Sequence, residues 1–101
     1  MRYSAVITSA AEIDLTGIFE WYENKRIGLG YDFLLQVDSG LRSLEDNPQI
    51  YKEQYKRVRR YLVRRFPYKI FYRIEGMNIV VLAVVYSGRD PEWIKKRISN
   101  T

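Results

Sequence analysis

The sequence predicts an α+β domain in which a helical hairpin packs on one face of a small, mostly antiparallel sheet. Three observations carry that prediction. An apolar stripe of helical period runs through residues 9–46, interrupted at Gly28 and Gly30. Alternating and then continuous apolar runs fill most of residues 56–86. Helices and strands are segregated along the chain, which sets an α+β arrangement apart from repeated βαβ units. At 101 residues the expectation is one domain spanning 1–101. A chain of that size buries roughly two-thirds of the surface its unfolded form exposes, enough for a core.

Residues 2–7 (RYSAVI) read as a strand with Tyr3, Ala5 and Ile7 on one face. Thr8 or Ser9 is the N-cap after it, and Ser9 with Glu12 has capping-box spacing. Ala11, Leu15, Ile18 and Tyr22, with Phe19 alongside, form the stripe of a first helix. It ends near Lys25-Arg26, where cations favour a C-terminus. Gly28 and Gly30 flank Leu29 in a tight turn. A second helix, Gly30 to Asp46, then presents Phe33, Leu34, Val37, Leu41 and Leu44. Asn47-Pro48 stops it, because the residue before proline avoids helical angles. So short a turn makes the helices antiparallel neighbours.

Residues 48–55 read as a loop anchored by Ile50 and Tyr51. Residues 56–63 (KRVRRYLV) form a strand whose imperfect alternation fits an edge or a bulge. Phe66-Pro67 falls in the connection. Residues 68–75 (YKIFYRIE) place Tyr68, Ile70, Tyr72 and Ile74 on one face and Lys69, Phe71 and Arg73 on the other. After a turn at Gly76 and Asn78, residues 79–86 (IVVLAVVY) read as apolar throughout, as in a strand covered on both sides. Ser87-Gly88 breaks that strand. Asp90-Pro91 opens a final helix with Asp as N-cap and Pro at the first position. Trp93 and Ile94 dock it. The expected order is therefore an N-terminal strand, an antiparallel helical hairpin, a three-stranded antiparallel meander and a short C-terminal helix. Helices are expected over one side only, leaving Lys69, Arg73 and the basic second strand bare on the other.

Composition removes several chemistries. With neither Cys nor His, disulfides, thiolate metal sites, zinc hydrolysis, a Ser/His/Asp triad and a Cys/His pair are all excluded. No apolar run approaches the roughly 20 residues that span a bilayer, and MRYSAVITSA lacks the apolar core of a signal peptide. A cytoplasmic protein without membrane contact, metal or cofactor is expected. The net charge of +5 is unevenly placed. Residues 8–47 hold eight acids against three bases, a balance of −5. Residues 52–73 hold nine bases against one acid, a balance of +8. Arg57, Arg59, Arg64, Arg65 and Arg73 belong to that cationic segment, whose density suits a polyanion or an acidic protein chain.

The helical opening AEIDLTGIFEWYE, the LGYDFL start of the second helix and the LEDNP stop resemble toxins of the RelE/ParE superfamily of bacterial type II toxin–antitoxin pairs. The segment VRRYLVRRFPYKIFYRIEGMNIVVLAVVYSGRDPEWIKKR carries the stronger likeness, and the resemblance covers roughly residues 3–97. It implies a growth-inhibiting toxin of the plasmid-stabilisation type, held as a hetero-oligomer by a cognate antitoxin. It also implies one of two activities. RelE-like members are mRNA interferases that cleave message on the ribosome. ParE-like members inhibit DNA gyrase.

Cleavage through a 2′-hydroxyl needs a proton acceptor, a proton donor and cations for the phosphorane. The resemblance places Arg60, Lys69 and Arg89 at basic positions of the RelE-like site, with Tyr86 near a missing His and Leu62 where a second Lys stands in one enzyme. Lys at position 69 lacks the planar fork of Arg. The missing His and the long helical hairpin favour the ParE-like, gyrase-binding type over the nuclease. A nucleic-acid-binding module without toxicity is a third reading, supported by the 15% aromatic content. An antitoxin of the implied kind would lay an amphipathic helix and an extended acidic segment on the toxin. Trp21, Tyr22, Phe33 and Trp93 are its candidate contacts.

Overall fold

The computed structural model describes residues 2–99. Strand β1 (Ser4–Ile7) leads into helix α1 (Ser9–Lys25) and helix α2 (Leu29–Asp46). A 3-10 turn, Pro48–Ile50, precedes strands β2 (Glu53–Tyr55), β3 (Val58–Leu62), β4 (Tyr68–Glu75) and β5 (Asn78–Tyr86). Helix α3 (Pro91–Ser99) ends the described chain. The five strands form one sheet in the order β1-β5-β4-β3-β2, with β1 parallel to β5 and every other pair antiparallel.

Local chemistry explains the helical boundaries. Thr8, rather than Ser9, caps α1: its hydroxyl accepts from the Ala11 amide at 3.2 Å and donates to the Val81 carbonyl at 2.9 Å. The cap thereby ties the start of α1 to the end of the β1–β5 ladder. Gly28 opens α2 at φ 92, a left-handed angle that suits glycine. It offers no side-chain cap, and Glu23 of α1 serves instead, accepting from the Gly28 and Gly30 amides at 3.1 and 2.8 Å. The two helices meet closely at Gly30, where a Cβ would lie 2.6 Å from the Phe19 carbonyl oxygen.

Two features differ from the sequence reading. Residues 48–55 are not all loop, because Glu53–Tyr55 forms a short edge strand against β3. Its turn runs through Lys56 and Arg57 at φ 47 and 65. Left-handed, non-glycine residues there carry no turn signature, so the strand pair was hidden. The second difference concerns the far side of the sheet. The hairpin covers one face as expected, with Ala11, Phe33, Val37, Leu41 and Leu44 packed against Tyr61, Ile70, Tyr72, Ile79, Val81 and Val84. The other face is not bare. Ile94 and Ile98 of α3 pack on Val58, Phe71, Leu82, Ala83 and Val85. This second cluster explains why β5 is apolar along both of its faces.

A β-bulge on β5 sets the phase of the sheet. Phe71 pairs with Ala83, but Tyr72 pairs with Val81, so Leu82 is the extra residue. Before it, Ile79 and Val81 face the hairpin; after it, Val84 faces the hairpin and Val85 faces α3. Strand β5 also outruns β1, whose pairing stops at Ile7 opposite Val81. Beyond that point Asp14 of α1 accepts from the Val84 amide at 3.0 Å, and Arg97 of α3 donates to the Leu82 carbonyl at 3.1 Å. The same two side chains form a bidentate ion pair at 3.0 and 3.1 Å. One carboxylate–guanidinium pair therefore satisfies the strand edge and joins the two helices that flank it. Among the described residues no helix is long and apolar enough to cross a membrane.

Candidate functional site

The face under α3 holds a cavity of about 270 Å³. Arg60 enters it from β3 and Lys69 from β4; Lys69 pairs across the sheet with Leu62 on one side and Val85 on the other. Arg89 arrives from the loop after β5, where its amide donates to the Tyr86 carbonyl at 2.9 Å. Lys95 descends from α3. The floor and wall are apolar: Phe71, Val85, Ile94 and Ile98. Among the described residues Arg60, Lys69 and Arg89 make no ion pair with a carboxylate. Three cations over an apolar floor repel one another, and only a negative ligand or solvent relieves that repulsion. The carboxylate at the rim, Asp90, is the N-cap of α3, accepting from the Glu92 amide at 2.9 Å.

The position of Arg89 depends on its neighbours. Its guanidinium lies 4.2 Å from the centre of the Trp93 ring, and that of Arg97 lies 4.7 Å from the same ring. Each contact contributes on the order of 0.5–2 kcal/mol. Through Arg97 the ring is coupled to Asp14, so the rim of the cavity is held by the clamp that seats α3. On the opposite rim the Tyr55 ring has the Lys56 and Lys95 ammonium groups each 5.5 Å from its centre.

The remaining expected site residues are dispersed. Tyr86 projects to the hairpin side of the sheet, where its ring sits 6.2 Å from that of Tyr68, and it does not line the cation cavity. Arg59 also turns to the hairpin side. It donates to the Tyr51 and Gln49 carbonyls and pairs with Glu53, fastening the loop after α2. Arg73 shares the α3 side but pairs with Glu75 at 2.7 Å. Arg57 sits in the β2–β3 turn. Arg64 and Arg65 lie in the β3–β4 connection, Arg64 beside a separate cleft with Ser39, Ser43 and Tyr61. The cationic segment therefore divides between both sides of the sheet.

Of the aromatic candidates, Phe33 is fully buried and belongs to the hairpin core. Tyr22 is partly buried against Phe33, Phe66 and Tyr68. Trp21 is 53% exposed with the Lys25 ammonium over its ring. The tyrosines with displaced acidity lie outside the cation cavity. Burial, and next Tyr68, raises the Tyr22 phenol. Burial and then Tyr51 raise Tyr61, against the pull of Arg64. Asp14, Arg97, Lys95 and Tyr55 went unnoticed in the sequence. Eighty-three positions separate Asp14 from Arg97, and no local pattern joins them. Among the described residues no group of three acidic side chains could hold a metal ion.

Comparison with known proteins agrees with this fold. The chain has the fold of the chromosomal ParDE toxin–antitoxin system of P. aeruginosa, at TM-score 0.74 and 19% identity over 84% of this chain and 96% of that one. A mutant of the E. coli toxin RelE in the free state matches at TM-score 0.73 and 14% identity, over 99% and 98% of the two chains. The RelBE2 toxin–antitoxin complex of Mycobacterium tuberculosis matches at TM-score 0.55 and 18% identity, over 85% and 99%. No curated protein matches the sequence. Residues 5–91 match the family model described as the ParE toxin of the type II toxin-antitoxin system, parDE. With most of its length so matched, the chain belongs to the ParE toxin family, within the RelE/ParE superfamily.

Proposed function

We propose that this chain is a type II toxin that arrests growth by binding DNA gyrase, and that an acidic antitoxin neutralises it. The observation that carries the gyrase reading is the make-up of the cation cavity. Arg60, Lys69, Arg89 and Lys95 supply positive charge, yet the sequence has no histidine and the rim carboxylate of Asp90 is engaged as a helix cap. Charge without a poised proton acceptor suits recognition of an anionic surface better than attack by a 2′-hydroxyl. Family membership supports the same reading. The convergence of cations is also what a ribosome-dependent ribonuclease would use to hold a phosphate, and that is the second reading.

Purified chain titrated into a gyrase supercoiling assay, and in parallel into a translation reaction scored for cut message, separates the two. Inhibited supercoiling with intact message is expected. Lys69→Ala sharpens the comparison. As one cationic contact among several it lowers inhibition by less than about tenfold, whereas loss of a catalytic group removes roughly 10²–10⁴-fold of a nuclease rate. Message cleavage that depends on Lys69, with supercoiling untouched, overturns the gyrase reading.

A further inference from the structure

The cleft beside Arg64 is independent of the cation cavity. It has a volume of about 310 Å³ and is lined by Ser39 and Ser43 of α2, by Tyr61 and Leu62 at the end of β3, by Arg64 just beyond, and by Tyr51. The two sites share no lining residue. Strand β2 leaves this end of β3 uncovered, because its pairing with β3 ends at Arg59.

Gly40 makes the arrangement possible. The Tyr61 ring rests directly on the α2 backbone there: a Cβ on Gly40 would lie 2.4 Å from a ring carbon and 3.1 Å from the phenolic oxygen. The hydroxyl is thereby held at the helix surface. Ser43 is three residues on from Gly40 and four on from Ser39, so the serines belong to the same stretch of helix face. Tyr61 is only 7% exposed, yet its hydroxyl still meets solvent and has no hydrogen-bond partner among the described residues. The Ser39 and Ser43 hydroxyls have none either. Elsewhere such groups are engaged: the Tyr72 hydroxyl donates to the Pro48 carbonyl at 2.7 Å, and that of Ser99 to the Lys95 carbonyl at 2.9 Å. Arg64 makes no ion pair among the described residues. Its charge nevertheless reaches Tyr61, where it opposes the upward pull of burial and of Tyr51 on the phenol. No carboxylate lines the cleft, and Asp38 of α2 is paired with Arg42 at 2.9 Å.

We infer that this cleft binds a small phosphate monoester of the sugar-phosphate class, with Arg64 and the Tyr61 hydroxyl on the phosphoryl group. Charge comes first. One unpaired guanidinium without a lining carboxylate calls for an anion, and its planar fork matches phosphate oxygens. The number of donors comes next. Hydroxyls rotate to donate, and those of Ser39, Ser43 and Tyr61 together with the guanidinium exceed what the two oxygens of a carboxylate accept. A phosphoryl group brings three strong acceptor oxygens. Size and polarity decide the rest of the ligand. The volume falls at the lower end of the roughly 300–1,000 Å³ of small-molecule sites, more than a bare phosphate fills. An apolar body would leave the serine hydroxyls unpaired, whereas a polyol satisfies them. The inference stands apart from the choice of toxin target, because it uses none of the residues of the cation cavity.

Titration of the intact, isotope-labelled chain with ribose 5-phosphate, followed by amide shifts in NMR spectra, tests it. Saturable binding with a Kd of about 1 mM or tighter is expected, with the shifts concentrated at residues 39–43 and 61–64. Inorganic phosphate and ribose, titrated separately, should each bind more weakly by about tenfold or more. Arg64→Gln should weaken the ester by about tenfold. Tyr61→Phe, which keeps the ring on Gly40 and removes only the hydroxyl, should weaken it by about threefold or more. No saturation up to about 10 mM overturns the inference. So does inorganic phosphate that binds as tightly as the ester, which assigns the cleft to a free anion, or binding that neither variant alters. Shifts centred on Arg60, Lys69 and Arg89 assign the ester to the cation cavity and also overturn it.

Discussion

Replacing Asp14 by Ala isolates the contribution of the clamp. The carboxylate accepts three charge-assisted hydrogen bonds: two from Arg97 and one from the Val84 amide, at 3.0–3.1 Å. Side-chain exposure is 15% for Asp14 and 21% for Arg97, so solvent screens the pair only in part. Breaking a fully buried ion pair costs about 3–5 kcal/mol; partial exposure brings the expected loss to about 2–4 kcal/mol. Urea unfolding followed by circular dichroism gives the difference directly. The double-mutant cycle with Arg97→Ala should return a coupling above about 1 kcal/mol. The consequence for the site is local: α3 loosens, and trypsin should cut at Lys95 and Lys96 faster than in the parent. A loss below about 0.5 kcal/mol, the range of an ordinary surface substitution, or strict additivity in the cycle, refutes the reasoning.

Burial pushes the Tyr72 phenol up to about 12, with Arg59 opposing and Tyr51 adding to the shift. An acid held above its unfolded value near 10.0 keeps its stabilising effect below that pH and loses it as the pH rises towards 12. The shift corresponds to about 3 kcal/mol, read as a fall in urea midpoint across that window. Tyr72→Phe should flatten the alkaline fall. At neutral pH it should cost about 1–3 kcal/mol, because the Pro48 carbonyl loses its 2.7 Å donor. Two glycines of the hairpin should behave oppositely in thermal melts. Gly30→Ala forces α2 away from the Phe19 carbonyl and costs about 1–3 kcal/mol, whereas Gly17→Ala meets open space within α1 and gains about 0.5–1 kcal/mol.

Much of the fold was legible because its signals are local. Helical spacing, the Gly28–Gly30 turn, the Asn47-Pro48 stop and the Asp90-Pro91 start each depend on residues within a few positions of one another. The parallel pairing of β1 with β5 and the docking of α3 on the second face depend on contacts between distant parts of the chain. The two apolar faces of β5 announced a cover on both sides. They did not say that one cover would be the C-terminal helix, whose Ile94 and Ile98 lie four apart in a basic, otherwise polar segment.

The site was legible as a set of residue types and illegible as a geometry, for one physical reason. In a strand that is apolar on both faces, alternation carries no phase, and the inserted Leu82 cannot be recognised. Counted without a bulge, Ile79, Val81, Ala83 and Val85 share a face and Tyr86 falls on the other, beside Lys69 and Phe71. With the bulge, Val85 lines the cation cavity and Tyr86 turns to Tyr68. The same one-residue slip leaves the Leu82 carbonyl and the Val84 amide on the edge that β1 does not reach, where Asp14 and Arg97 satisfy them. Arg97 then lies against the Trp93 ring that also receives Arg89. A single extra residue in β5 therefore selects which side chains meet in the cavity and creates the edge that the clamp closes.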